Sequence, residues 1–470
     1  MTWLDDLDAA ISGDVSTPGA RYWDHHRAAW NVAVDQRPLA VARPDTPEDV
    51  REVVTAAARA GVRVAPQSTG HNAAPLGDLS DTVLLRTDRM RGVAVDPTTR
   101  TARVEAGALW GDVTEAAATH GLAALAGSAA DVGVTGYTLS GGLSWFARSH
   151  GLAADHLVAA EVVTADGELR RVDAATGPDL FEALRGGGNG IAVVTALEFR
   201  LFPVREAVAG ALFFPLEAAS RVFAAWSRWT RTVPDEVTSV CRVLRFPPLP
   251  DLPPHLAGRA FTVVELCSTL DAATTEALVA GLRAHHPLMD TVTTTPVEQL
   301  HLLHMDPPGP VPAAGDGIVL GDLPAEALDA MLRQVGPAAE TPLLSVELRH
   351  LGGALTPGAK CGPGASRGIA GSYLCFAVGI TPTPEAGVAV RAAVDSLVDA
   401  LSPWAGEGRL PGFVEHAATP EAVYGDALER LREVKRRYDP TDLVRANHPL
   451  LERSSRPTDR VPRVLEGAPA

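Results

Sequence analysis

The chain has 470 residues, more than one hydrophobic core normally organises, so two or three domains are expected. A hydrophobic content of 46% with 21% charged residues describes a folded globular protein and excludes a disordered one. The formal net charge of −16 opposes nucleic acid and anionic lipid as partners, yet leaves room for an anionic cofactor, because backbone N–H groups bind phosphate locally.

The opening "MTWLDDLDAAISGD" is acidic and has no basic region followed by an apolar run, so it does not read as a signal peptide. No segment reaches the roughly 18 apolar residues of a membrane helix, and a cytoplasmic location is expected. Cys241, Cys267, Cys361 and Cys375 are scattered without metal-ligand spacing and read as reduced structural thiols.

Residues 1–36 read as helical and peripheral. Then "PLAVARP" is a short strand and "TPEDVREVVTAAARAGV" a helix, with Thr46 as N-cap, Pro47 at the first helical position and Gly61 as its stop. The strand "RVAPQ" leads directly into "QSTGHNAAPLGDL", which places the titratable ring of His71 among small residues. Such a setting suits either a roomy turn or a group aimed at a ligand. Next come "TVLLRT", a hairpin turning at Asp96–Arg100, the helix "LWGDVTEAAATHG", and a second glycine-rich stretch, "GSAADVGVTGYTLSGGLSW". A hairpin turning at Asp166–Gly167, a short helix, a third glycine cluster and a buried strand follow, ending at Val204.

Beyond about residue 205 the text changes to Pro-rich connectors, strands such as "FTVVEL", "LLSVELRHL" and "YLCFAVGI", and amphipathic helices. This reads as an antiparallel α+β domain over 206–405, followed by "AVYGDALERLREVKRRYDPTDLVRANHPL", a helix stopped by Pro440. The basic end of that helix, "EVKRR", suits the helix dipole and needs no ligand. None of the three glycine clusters has the G-x-G-x-x-G or G-x-x-x-x-G-K-[ST] spacing. Three clusters within one 205-residue half suggest an extended ligand across several loops, such as a dinucleotide.

On these residues the chain resembles the berberine-bridge-enzyme-like oxidases, within the vanillyl-alcohol-oxidase-type flavoproteins. The motifs are "APQSTGHN", "VEAGALWGDV", "GSAADVGVTGYTLSGGLSW", "DLFEALRGGG" and the closing "LREVKRRYDPTDLVRANHPL". The resemblance implies an α+β fold: a PCMH-type FAD-binding domain of two α/β subdomains over 1–205 (core 37–205), an antiparallel-sheet substrate domain covered by helices over 206–405, and a segment, 406–470, that returns to the first domain. It implies FAD held by Gln67, Ser68, Thr69, Gly70 and Asn72 and by a second loop with Gly127, Ser128, Asp131, Val132, Gly133, Gly136, Tyr137, Gly141 and Gly142, with Val194 and Asn447 also at the cofactor. His71 would carry a covalent bond to the flavin 8α-methyl. Many relatives add a cysteinyl bond in a G-x-C-P-x-V-G pattern; Ala129 stands at that cysteine here, so a single link is expected. "GGGNGIAVVT" also departs from the family's G-N-F-G-V-V-T, at Gly190, Ile191 and Ala192. In relatives, valine at the position of Val132 leaves a gap for oxygen, which points to an oxidase.

For the substrate side, strand alternation puts Glu347 and Arg349 on one face and His350 on the other, as a base with its charge partner or as an ordinary ion pair. Tyr373 is the tyrosine candidate for catalysis, while Tyr137 is expected to pack on the cofactor. The resemblance places Asn447 against the flavin pyrimidine and His448 as base or orienting group. His301 and His304 have i, i+3 spacing, but only Asp306 lies nearby to extend a metal set, so they read as solvent-side or gating histidines and no metal is expected. The implied activity is oxidation of an alcohol or amine carbon in a small organic molecule, favouring secondary-metabolite tailoring, with O2 reduced to H2O2. The alternatives are a non-redox flavoprotein cyclase and a flavin-dependent dehydrogenase or oxygenase.

Overall fold

The computed structural model describes residues 2–250, 252–359, 364–365 and 368–451. Cys361 lies outside the described residues. The α+β class holds. A four-stranded sheet runs in the order Asp14–Ser16, Ala40–Arg43, Thr82–Arg86, Arg63–Gln67. Its last three strands are parallel, because the helix Pro47–Ala60 crosses between them. Thr46 caps that helix by accepting from the Asp49 N–H at 3.1 Å, and Gly61 ends it at φ +68°, a conformation that favours glycine. Val50, Val53, Val54 and Ala57 recur at helical spacing and are fully buried on the sheet.

A second, five-stranded antiparallel sheet has the order Val93–Asp96, Thr101–Glu105, Val193–Arg200, Leu157–Val163, Leu169–Asp173. The helices Trp110–Ala118, Pro178–Leu184 and Leu428–Tyr438 share its core. The last helix therefore returns to the first half of the chain. It is not continuous from residue 422, as its text suggests. Pro420–Tyr424 ends at Gly425, whose φ of +47° breaks the helix, and Leu428–Tyr438 starts anew.

The chain then builds an eight-stranded antiparallel sheet in the order Met289–Asp290, Glu206–Pro215, Ala260–Ser268, Val237–Arg245, Ser345–His350, Tyr373–Ile380, Ala313–Leu320, with Thr293–Pro296 also paired to Glu206–Pro215. Helices Ala219–Thr230, Ala325–Val335 and Pro384–Leu401 cover one face over a core containing Phe214, Phe223 and Trp226. The opposite face turns toward the glycine-rich loops of the first half. Cys241, Cys267 and Cys375 are free and buried in this domain.

Residues 1–36 are not merely peripheral. Helices Trp3–Ala10 and Trp23–Arg27 lie outside, but the Trp30 N–H donates to the Thr69 carbonyl at 2.8 Å, so this segment runs along the His71 loop. The Asn31 side chain donates to the Ala313 carbonyl and accepts from the Ala313 N–H, clamping the loop to the large sheet. Within the basic helix end, Lys435 is buried. It is 2% exposed, and its Nζ donates to Asp439 at 2.6 Å and to the carbonyls of Gly190 and Val444, each at 2.7 Å. It ties the third glycine cluster to the C-terminal segment rather than facing solvent.

Candidate active site

A cavity of about 420 Å³ lies between the large sheet and the loops of the first half. Its floor is built from the two glycine-rich stretches. The parallel strand Arg63–Gln67 delivers Ser68–Asn72 to the cavity edge. Gly70 has φ +82°, and a Cβ there would lie 2.9 Å from the side chains of Ala29 and Gln67, so only glycine fits the turn. The second stretch is not all loop. A turn ending at Gly133 starts a short helix, Val134–Leu139. A Cβ on Gly133 would lie 2.6 Å from Ser68 Oγ, so its absence lets the two stretches meet.

His71 sits at this junction. Trp30 stacks on its ring at 4.0 Å between centroids, 18° from parallel. Thr69 Oγ1 lies 2.8 Å from Nδ1, and Asp131 Oδ1 lies 3.5 Å from Nε2. Trp30 Nε1 donates to the other Asp131 oxygen at 2.5 Å. Burial pushes the Asp131 carboxyl up, but hydrogen bonds from His71 and Trp30 outweigh it and hold the group below its ordinary range. An anionic Asp131 beside Nε2 favours the tautomer protonated there, in which Nδ1 accepts from the Thr69 hydroxyl. Tyr137 packs between Gly127 and Gly142, where added Cβ atoms would lie 3.0 and 2.5 Å from its ring, and its hydroxyl donates to the Leu125 carbonyl at 3.1 Å.

The sequence-derived cofactor residues Gln67, Ser68, Thr69, Gly70, His71, Asn72, Gly127, Ser128, Val132, Gly133, Gly136, Tyr137, Gly142, Val194 and Asn447 line this one cavity. Asp131 stands behind His71, and Gly141, at φ +105°, faces Leu152 and Leu410 instead. Ala129 and Ala192 also line the cavity. Gly190 is required by the C-terminal segment, since a Cβ there would lie 2.6 Å from that of Ala446. Asn447 donates to the Asn72 carbonyl, and Asn72 donates to the carbonyls of Pro411 and Val414. Ser68 Oγ, Asn72 Oδ1 and Thr135 Oγ1 are buried without a protein partner. Orphaned polar atoms converging on one cavity fit a ligand as rich in hydrogen-bonding groups as FAD.

The roof is the open face of the large sheet. Register aligns Arg242 with Glu347 and Glu347 with Phe376, so these side chains form one row across the strands. Glu347, 2% exposed, has Arg349 Nε at 2.7 Å from one oxygen and His304 Nε2 at 2.8 Å from the other. His304 Nδ1 lies 2.6 Å from Glu265, which also accepts from Arg242 at 2.6 Å. Burial and Arg242 push the His304 imidazole down, but Glu265, Glu347 and Asp306 outweigh them and bring it to about 9. Burial would raise Glu347, yet Arg349 and His304 hold it well below the ordinary carboxylate range. His304 is therefore not a solvent-side histidine. It is a buried imidazolium between two carboxylates, and neither i, i+3 spacing nor local text signals partners 39 and 43 residues away. Asp306 accepts from Ser128 at 2.7 Å and joins this roof to the second glycine stretch.

Tyr373 does not reach the site. Residues 373, 375 and 377 point into the helix-side core, whereas Phe376, Val378 and Ile380 face the cavity. The Tyr373 hydroxyl lies 2.7 Å from Thr230 Oγ1, and its ring packs 5.5 Å from Trp226. Both faces of "YLCFAVGI" are apolar, so the sequence carried no sign of which way the tyrosine points. Tyr373→Phe is expected to cost about 1 kcal/mol of stability in a denaturant melt and to leave flavin reduction unchanged. His350, on the same side, stacks on Tyr373, and burial lowers its imidazole to about 3.

Paired glycine-rich stretches beneath an antiparallel roof enclose one cavity with room and polar groups for an extended ligand. Residues 38–173 match the FAD binding domain model, and residues 412–450 match the model described as berberine and berberine like. The chain thus carries an FAD binding domain and a berberine-like C-terminal segment, and in this it is similar to the berberine-bridge-enzyme-like FAD-linked oxidases. It is similar to a xylooligosaccharide oxidase from Thermothelomyces thermophilus, 33% identical over 216 residues, which are 45% of this chain and 44% of that protein. The match thus spans less than half of that relative. The BBE-like 1 structure from Physcomitrella patens superposes with a TM-score of 0.82 over 96% of this chain and 100% of that one, at 20% identity. Glucooligosaccharide oxidase from Acremonium strictum, described as carrying a 6-S-cysteinyl, 8α-N1-histidyl FAD, gives 0.77 over 95% and 99%, at 22% identity. At these identities the likeness is one of fold. Among the described residues no helix is long and apolar enough to cross a membrane.

Proposed function

We propose that this protein is an FAD-dependent oxidase, joined to its flavin through His71 alone, that oxidises an alcohol or amine carbon of a small organic molecule and returns the electrons to O2 as H2O2. The observation that carries this reading is the setting of His71: stacked by Trp30, backed by anionic Asp131, and set in a turn only glycine permits, at the edge of a cavity with orphaned polar atoms. Bound there, FAD supplies a hydride acceptor. Ser68, Asn72 and Thr135 would hold it through hydrogen bonds, and Asn447 would stand at its ring. Ala129 offers no thiol for a second bond. Val132 on the lining keeps a small side chain where oxygen must approach.

Leu244, Leu344, Phe376, Val378 and Ile380 make the roof largely apolar, which suits an aromatic or aliphatic alcohol or amine and agrees with a secondary-metabolite substrate. Glu347 and Arg349, locked to each other and to His304, orient the polar end of that substrate. Burial lowers the His448 imidazole, so it meets the substrate or flavin neutral. The test is anaerobic mixing of the purified yellow protein with benzyl alcohol, benzylamine and xylobiose. Flavin bleaching, followed by peroxide when air is readmitted, is the expected result. Bleaching without peroxide indicates a dehydrogenase, and product without bleaching indicates a cyclase.

A further inference from the structure

We infer that Glu415 is the catalytic residue that takes the substrate's O–H or N–H proton. This rests on the redox reading above. Glu415 lines the cavity on the loop that follows the 3-10 turn Pro411–Phe413. That loop lies across the strand Ala313–Leu320 because the strand has glycine where other side chains would collide. A Cβ on Gly317 would lie 3.0 Å from the Phe413 carbonyl oxygen, and one on Gly315 would lie 3.2 Å from Glu415 Oε2. The two glycines are therefore seats for the loop, and Gly315 is the seat of the carboxyl itself.

Three carboxylates line the cavity, Asp306, Glu347 and Glu415, and their surroundings differ: Asp306 is held by Ser128 at 2.7 Å. Register places Glu347 opposite Phe376 and Phe376 opposite Gly317, so Glu347 lies two strand spacings, about 10 Å, from the loop's seat. Glu347 has a cation on each oxygen and is a poor acceptor. The charged and titratable groups around Glu415 are Asp316 from the strand, Arg409 and His416 from its own loop, and His448 from the C-terminal segment. Arg409 and His416 are both taken by Asp316, at 3.1 and 3.3 Å. Among the described residues no cation forms an ion pair with Glu415. Burial and the Asp316 charge push its carboxyl up, the Gly315 N–H opposes them only in part, and it stands at about 7. A group that gains and loses its proton near neutrality on a cavity wall is what base catalysis requires.

Glu415 carboxylate would take the O–H or N–H proton as the carbon–hydrogen bond breaks with its electron pair, and FAD held in this cavity would supply the hydride acceptor. The substrate leaves as a carbonyl or imine, and O2 is the final oxidant. Ionised above about pH 7, Glu415 makes the rate of flavin bleaching rise with pH through that value.

Two measurements on the holoenzyme test this. In an infrared pH titration without substrate, wild type is expected to show a protonated-carboxyl band, absent from Glu415→Gln, that is half lost near pH 7. In anaerobic mixing with whichever of benzyl alcohol, benzylamine or xylobiose bleaches the wild-type flavin, Glu415→Gln is expected to slow bleaching at least about a hundredfold. It should also abolish the rise with pH while the flavin content stays full. A rate within about threefold of wild type, with the pH limb intact, overturns the assignment and transfers it to His448. So does a Glu415 band that vanishes below about pH 5. If none of the three probes bleaches wild type, the redox reading fails for them, and the infrared titration still decides whether Glu415 holds a proton at neutrality.

Discussion

His71→Ala is expected to send the yellow colour into the supernatant when the purified protein is precipitated with acid, whereas wild type keeps it in the pellet. The intact mass of wild type should exceed that of the bare polypeptide by one FAD, and the variant should lose that increment. The reason lies in the local geometry. Thr69 and Asp131 address the two ring nitrogens separately, and Trp30 fixes the ring plane, so the imidazole is held in one orientation at the cavity edge. An 8α-linked flavin is more electron-poor and a better hydride acceptor. Anaerobic bleaching of the variant should therefore slow by at least about tenfold, a barrier rise of about 1.4 kcal/mol. A variant that retains colour in the pellet would mean that the bond goes through another residue. A wild type whose colour washes away would mean that His71 only packs on the cofactor.

Lys435→Met is expected to be the most destabilising single change considered, at about 3–5 kcal/mol in a thermal or denaturant melt. Lys435 and Asp439 are 2% and 0% exposed, and the ammonium makes three hydrogen bonds at 2.6–2.7 Å. Removing it leaves a buried carboxylate uncompensated and frees the Gly190 and Val444 carbonyls. Asp439 itself also accepts from the N–H groups of Leu443 and Val444, which lead into the bridge between Val64 and Val444. The loss should extend to the cofactor, because Asn447 and His448 follow three and four residues after Val444, and flavin release should accompany the melt. The double variant Lys435→Met/Asp439→Leu is expected to be less destabilised than the sum of its single changes, because it removes the stranded charge along with its partner.

Much of the cavity floor was legible in the amino-acid text because its signals are local. Thr46, Pro47 and Gly61 bracket one helix through caps that act within a few residues. The glycines that let Ser68–Asn72 and Asp131–Gly133 approach a ligand lie in the same short stretches as the residues that would contact it. The position of Ala129 required only a comparison of side chains.

The substrate side was legible only in part. Strand alternation correctly paired Glu347 with Arg349 on one face, since that depends on a period of two within one strand. It could not orient Tyr373, whose strand is apolar on both faces, and that residue belongs to the helix-side core. Nor could the text reveal that Trp30 covers His71, that Lys435 is buried, that His304 lies between Glu265 and Glu347, or that Glu415 rests over Gly315. Each of those facts involves a meeting of segments tens to hundreds of residues apart, for Lys435 its bond to the Gly190 carbonyl. Sequence by itself determined where the chain turns, caps and alternates, and so where its glycine-rich loops fall, while the likeness to a family rested on motifs compared with relatives. Tertiary structure alone decided which charges are neutralised and which carboxyl remains unpaired at the cavity, because a pKa is set by neighbours in space and not in the chain.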